Sequence, residues 1–566
     1  MRIPVLDLGI VGTYVVLSLL VGLYFSRRAT QSVDHYFVGN RTFPWWLAGT
    51  SMIASSFSID TPFGITGLVA AHGISGVWFA WSFAIGGAGT FGAFVFASML
   101  RRSNIITTAE LIELRYSGRG AAILRGFKGV YFGILSLSIS MGWVIRSVVL
   151  ISQEALGWDI LPTLVLIILI TIVYTTAAGY LGVAVTDVAQ FIVGSIGSVA
   201  LAYYAVKSVG GIEGLFSGLN LRFGAERAVE YLQFFPRPSS TFFHTFIVFV
   251  TLKWWGNPPA SMTQRIMSTK DERHATFATM FFAAVHFAVN YWPMILAALV
   301  SLVSFPEIPI KNAERGYALL LMSVLPSGVL GITLSSLVAG FMSTIDTQAN
   351  TGASFMVNDL YRRFIRRNST DRHYVIVSQI CTVIMLALAV VAAFFMTSVK
   401  AAWDYLALLI AGYGFVVVAR WFWWRINAWS ELAALLGSGI GSVLASKVLD
   451  LNTFGTRFIF VAVLSCLSWI VVALLTKPPS IESLARFCRR VKPYPAFWGP
   501  VRERYPDIEW SPNLLRNIGL WFVGLACVYC VCFGLGNFLI GVSAYGWGLF
   551  GVAAGCLIFL LKTWRP

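Results

Sequence analysis

The sequence predicts an all-α integral membrane protein with about 15 transmembrane helices, a core built as a five-plus-five inverted repeat, and further helices at the periphery. Three observations carry that reading. Of the 566 residues, 57% are hydrophobic and only 12% charged, against about 25% charged in a soluble domain. Apolar runs of about 20 residues, enough to cross a hydrocarbon core of about 30 Å, recur from end to end. Two of these runs are interrupted by proline and glycine, five spans apart.

The spans fall at about 5–26, 43–72, 75–100, 124–155, 160–178, 183–207, 238–262, 275–305, 327–357, 373–398, 402–424, 428–450, 455–476, 514–538 and 541–563. They lack the alternating texture of a barrel, so they are helices. The first follows only Arg2, is too long for a signal sequence and lacks a small-x-small cleavage site. It reads as a retained helix. The net charge of +16 does not point to nucleic acid. With the N-terminus outside and the C-terminus inside, most Lys and Arg fall on inner segments, as in "YRRFIRR" and "RFCRRVK". That is the positive-inside pattern of a multi-pass protein in a plasma (inner) membrane. The seven cysteines, all after residue 380, include one lone CxxC at Cys527 and Cys530 and read as small apolar helix residues.

Two long polar stretches, 209–237 outside and 477–513 inside, are too small and too polar for a folded domain. The chain divides into an extra helix and inner loop (1–42), a first repeat (43–208), the outer loop, a second repeat (238–426) and peripheral helices (427–566). Each repeat opens on an interrupted helix. In "SSFSIDTPFGITG" Pro62 cannot donate to the Ser58 carbonyl and its ring crowds the preceding turn, which predicts unwinding around Ser58–Pro62. In "LKWWGNPPASM" Pro258 and Pro259 orphan the carbonyls of Trp254 and Trp255. An odd number of helices per half inverts the second against the first, with a site where the broken helices meet.

The ninth span carries an unusual density of polar groups in "FMSTIDTQAN". Ser336, Gly340, Ser343, Thr347 and Asn350 share one stripe, flanked by Thr344 and Asp346. Polar side chains at membrane depth mark functional sites. Small polar residues also glue membrane helices together. Hydroxyl and carboxylate oxygens suit a hard cation, and one carboxylate on a helix is too little for calcium. Na+ or H+ fits better, with carbonyls of Ala54 to Ser58 at the break supplying further oxygens.

Four blocks then match a family pattern: "YFVGNRTFPWWLAGTSMIASSFS", "AAGYLGVAVTDVAQF", "QRIMSTKDERHA" and "LVAGFMSTIDTQANTGASFMVNDLYRRF". From about residue 5 to 430 the chain resembles the sodium:solute symporter family, which includes the sodium/glucose and sodium/proline cotransporters. The resemblance implies a leucine-transporter-like fold and a main sodium site of the Ala54, Phe57 and Gly340 carbonyls with the Ser343 and Thr344 hydroxyls. It implies a second cation site near Asp187, with Ser343, Asp346 and Thr347. Asp346 departs from the hydroxyl residue expected there and leaves the ion stoichiometry open.

Substrate candidates are Asp60 and Thr61 at the first break, Trp254, Trp255 and Asn257 at the second, and Arg146 in the fourth span. Trp255 resembles the family's aromatic gate. A buried arginine needs an anion, either Asp60 or a substrate carboxylate, and the internal pair is narrowly preferred. The expectation is a sodium-coupled symporter importing a small polar solute, such as a sugar, by alternating access. It needs no cofactor beyond Na+ as coupling ion, and its partners are solute, Na+ and bilayer. The rivals are a sodium- or proton-coupled carrier of an organic anion or amino acid, and a transporter-fold sensor. Sensors of this fold append a signalling domain, whereas this chain ends on "LKTWRP". No nucleophile–base pair suggests an enzyme.

Overall fold

A computed structural model of the protein describes residues 3–29, 39–157, 159–253, 260–396 and 398–564; in 22–29, 155–156, 160–170, 172–182 and 260–261 only the backbone is described. The described residues are helical throughout, with one isolated bridge between Phe43 and Thr269 in place of a sheet.

In chain order the helices are α1 (Val5–Ala29), α2 (Trp45–Ser56), α3 (Asp60–His72), α4 (Ile74–Ser103), α5 (Glu110–Arg115), α6 (Gly118–Glu154) and α7 (Ile160–Ser208). The outer connection holds α8 (Gly211–Phe223) and α9 (Ala225–Leu232). There follow α10 (Phe243–Thr251), α11 (Ala260–Ser268), α12 (Glu272–Ser304), α13 (Glu314–Val324), α14 (Val329–Ile365) and α15 (Asp371–Phe394). The last group is α16 (Val399–Leu409), α17 (Tyr413–Phe422), α18 (Ala428–Val448), α19 (Phe454–Leu475), α20 (Ile481–Val491), α21 (Gly499–Arg504), α22 (Leu514–Leu539) and α23 (Ser543–Thr563).

Among the described residues ten helices are long and apolar enough to cross a membrane, or eleven if α16 and α17 count as one span bent by 46°. The difference from the expected fifteen has identifiable sources, the first being that the described part of the first span, Val5–Val21, is too short to count. The second span is split into α2 and α3, each shorter than a bilayer crossing needs. The seventh is split into α10 and α11, with Gly256, Pro258 and Pro259 lying outside the described residues. Segments 160–178 and 183–207, expected as two spans, run as the single 49-residue helix α7. The eleventh expected span is the bent pair.

The stretches expected as plain loops contain helices as well. In the inner one, Leu484, Phe487, Val491 and Trp498 are buried in the main core, so the segment closes the bundle instead of hanging from it.

Helix α14 runs through the middle of the bundle, packed on α7, α1, α2, α6 and α15. Its start is held by Asp7 of α1. That fully buried carboxylate accepts from the N–H groups of Gly328 (2.7 Å) and Gly331 (2.6 Å) and from Ser327 Oγ (2.9 Å). A helix begins with N–H groups that have no intrahelical acceptor and with the positive end of its dipole, so a carboxylate satisfies both needs. Helix α11 is tied to the start of α2 through the bonds Phe43 N to Ser268 O (3.1 Å) and Lys270 N to Phe43 O (3.0 Å). This brings α2, α7, α11 and α14 together.

Candidate functional site

The first break lies at Phe57–Ile59, three residues before the expected proline. Pro62 instead occupies the first turn of α3, where its missing N–H would have had no helical acceptor. What ends α2 is a local exchange of partners. The Ser58 N–H turns to Thr61 Oγ1 (3.3 Å), and Thr61 Oγ1 donates to the Ser56 carbonyl (3.3 Å). The Ala54 carbonyl thereby loses the donor it would have had in a continuous helix.

Gly340 of α14 abuts this break. A Cβ on Gly340 would stand 2.8 Å from the Phe57 carbonyl oxygen, inside any real carbon–oxygen contact, so only glycine lets α14 approach so closely. Three residues on, Ser343 is buried, and Thr344 Oγ1 donates to the Ser55 carbonyl (3.2 Å). The structure therefore brings together the helix elements carrying Ala54, Phe57, Gly340, Ser343 and Thr344.

Asp187 of α7 lies beside them, fully buried. Ser51 Oγ and Ser343 Oγ each donate to it, both at 2.5 Å, one to either carboxylate oxygen. The fourth side of this cluster is Arg265 of α11. Its Nε donates to Ser51 Oγ (3.0 Å), its Nη2 donates to Thr347 Oγ1 (2.5 Å), and Nη2 lies 3.6 Å from Asp187 Oδ2. Next to it, Gln264 donates to Asn350 Oδ1 (3.3 Å) and accepts from Thr351 (3.0 Å). Asp346 is fully buried on the same helix.

The chain matches the sodium:solute symporter family over residues 36–441. It belongs to that family. Among curated members it is similar to a sodium/glucose cotransporter 4 of Danio rerio, 24% identical over 424 residues, covering 68% of this chain and 62% of that protein. A sodium/glucose cotransporter of Vibrio parahaemolyticus is 24% identical over 461 residues, covering 76% of this chain and 83% of its own. The match spans about three fifths of the fish protein and of its human counterpart, at 62% and 60%. Among solved structures, a Na+-coupled sialic acid symporter in an outward-open state superposes with a TM-score of 0.71 at 22% identity, covering 84% of this chain and 99% of that one. That likeness establishes a shared fold.

Within this symporter-family fold the sequence candidates divide unevenly. Asp60 is buried at the N-terminus of α3, and its Oδ1 makes no hydrogen bond with any described residue. Thr61 holds the break. Among the described residues no ion pair joins Arg146 to Asp60, so the internal pair that the sequence narrowly favoured is not formed. Trp254, Trp255 and Asn257 lie outside the described residues.

Sequence reasoning missed Arg265 and Ser51. The arginine belongs to "QRIMSTKDERHA", just past the predicted end of the seventh span, where it reads as one more inner-side cation. Its burial follows from α11 being a separate helix. The signal available was "Q-R" without an acidic neighbour at helical spacing, which leaves the partner to come from another element.

Proposed function

We propose that this protein is a sodium-coupled symporter that imports a small polar solute, a sugar or a similar molecule, by alternating access. The observation that carries the reading is the approach of Gly340 to Phe57, which sets two hydroxyls of α14 against a carbonyl-bearing helix break. Na+ is then a transported coupling ion, bound by the Ala54, Phe57 and Gly340 carbonyls and the Ser343 and Thr344 hydroxyls. The donor chemistry fits, since oxygen ligands without thiolate or imidazole suit a hard monovalent cation. Asp187, with Asp346 and Thr347, forms a second cation position that Na+ shares in competition with the Arg265 guanidinium.

The reading extends to the architecture. Residues 43–208 and 238–426 form the two inverted halves, each opening on its broken helix, between the extra helix at 1–42 and the peripheral part at 427–566, with connections at 209–237 and 477–513. The N-terminus outside and the C-terminus inside accord with the basic residues of the inner segments. Inward Na+ flow along the membrane potential supplies about 2.3 kcal/mol per charge per 100 mV.

A second reading, a carrier of an organic anion or amino acid, gains from one observation. Arg146 is not neutralised by Asp60, which leaves its guanidinium available to a carboxylate. A thermal-shift screen of purified protein against sugars, carboxylates and amino acids, with and without Na+, tests both. Stabilisation by a sugar only when Na+ is present supports the first reading. A carboxylate-specific shift lost in Arg146→Lys supports the second, and a solute shift indifferent to Na+ and to protons overturns coupling altogether.

A further inference from the structure

Away from the ion cluster, α5, α6, α17 and α18 enclose a second set of buried charges. Arg115, Arg420, Lys128 and Glu431 are all within 3% of complete burial. Arg115 is held mainly by backbone carbonyls and aromatic faces, with only its Nη1 making no hydrogen bond to any described residue. Its Nε donates to the Arg420 carbonyl (3.1 Å) and its Nη2 to the carbonyls of Trp423 (3.1 Å) and Trp424 (3.3 Å), at the negative end of α17. Its plane also rests on Tyr116, Phe487 and Trp498, with ring centroids 4.9 to 5.4 Å away.

Among the described residues, Glu431 is the one carboxylate within ion-pair distance of the other two cations. It accepts from Arg420 Nη1 at 3.3 and 3.4 Å, from Tyr116 (2.7 Å) and Tyr413 (3.4 Å), and has Lys128 Nζ at 3.7 Å. One negative charge thus faces two positive ones. The surplus is matched by a geometric feature. Arg420 uses only Nη1, while Nε and Nη2 make no hydrogen bond with any described residue. Those two atoms form the side-on fork of a guanidinium, the edge that recognises anions with two parallel N–H groups. Water can satisfy such donors but not the charge, and an unbalanced buried cation is strongly destabilising. Trp421 and Trp498 nearby are both fully buried.

We infer that the open edge of Arg420 binds a small monovalent inorganic anion, of which chloride is the abundant member. The bound anion completes the charge balance with Glu431 and Lys128 and fixes the α17–α18 elbow against α5. It is independent of the ion and solute cluster around Asp187.

The test uses full-length protein in nanodiscs at fixed Na+ and fixed ionic strength, with chloride replaced stepwise by gluconate. The expected result is a saturable rise in Tm with chloride and with bromide. In bromide-soaked crystals an anomalous peak should lie on Arg420 Nε and Nη2. Lys128→Met removes the surplus charge and should raise the chloride concentration for half-maximal stabilisation tenfold or more. Arg420→Lys keeps a charge but loses the fork, and should abolish the halide response while leaving stabilisation by Na+ intact. Equal Tm in chloride and gluconate for the unaltered protein overturns the proposal. So does an undiminished chloride response in Arg420→Lys. If that variant does not fold, the wild-type titration and the bromide map decide alone.

Discussion

Arg265 and Asp187 stand 3.6 Å apart, Nη2 to Oδ2, with neither side chain exposed. The guanidinium also reaches Ser51 and Thr347, so it ties α2, α7 and α14 through one fork. Breaking a buried pair from one side strands the other charge, typically at about 3–5 kcal/mol. Arg265→Met is therefore expected to lower stability strongly, and the double variant with Asp187→Asn should recover part of the loss. Denaturant unfolding of the two single variants and the double gives the coupling directly. Strictly additive losses would show that the two groups do not sense each other.

The hydroxyls beside the first break give the second expectation. Ser343→Ala or Thr344→Ala should raise the Na+ concentration for half-maximal uptake tenfold or more, equivalent to about 1.4 kcal/mol. Proteoliposome uptake against Na+ concentration measures it. An unchanged curve in both variants at normal expression removes these residues from the ion site.

Asp346 is the residue where the sequence departs from the family pattern. If it shares a cation position with Asp187, Asp346→Ser should change the number of charges moved per solute or sharpen the pH dependence of uptake. Two carboxylates so placed favour a cation or a proton between them. A charge-to-solute ratio and pH profile identical to those of the unaltered protein would exclude that role.

Arg146 and Asp60 should behave independently, because no ion pair joins them. Losses of unfolding free energy in Arg146→Met and Asp60→Asn, measured by denaturant unfolding, are expected to add in the double variant within about 0.5 kcal/mol. Rescue in the double variant would mean that they pair in a state other than this one.

The short helix α5, between α4 and α6, offers a pH expectation. Burial alone would raise the Glu113 carboxyl, but hydrogen bonds and charge from Arg363 and Arg125 outweigh it and hold it below the usual range near about 4.3. A depressed folded-state value means stabilisation that is complete above the unfolded value and is lost as pH falls through the folded one. Wild-type Tm should therefore fall more steeply than that of Glu113→Gln on acidification below about pH 4.3. Parallel curves would show that this carboxylate contributes nothing.

Burial, helicity and the broken second span were legible in the sequence because each depends on composition or on a local backbone rule. The exact site of the break was not. Proline marks where a helix cannot continue, yet it also suits the first turn of the next helix, and here Ser58 and Thr61 decide between the two. Ser343 and Thr344 were found because polar residues at regular spacing stand out in an apolar span. Arg265 escaped because its burial depends on α11 packing against three distant elements, which no local pattern encodes. The same holds for Arg420 and Glu431, whose meaning lies in a charge count over four helices. The continuous α7 shows the converse, since glycines at 179 and 182 signal a turn that the helix absorbs.

The grip of Asp7 on Gly328 and Gly331 has a practical side for anyone handling this protein. The first helix lies outside the expected repeat and would be an obvious segment to delete or replace by a fusion partner. Doing so would uncap the helix that bears Ser343 and Thr344, leaving the N–H groups of Gly328 and Gly331 without their acceptor. Shortened versions should begin before Pro4, and a fusion placed at the front needs a linker that leaves the Asp7 carboxylate free to reach its helix.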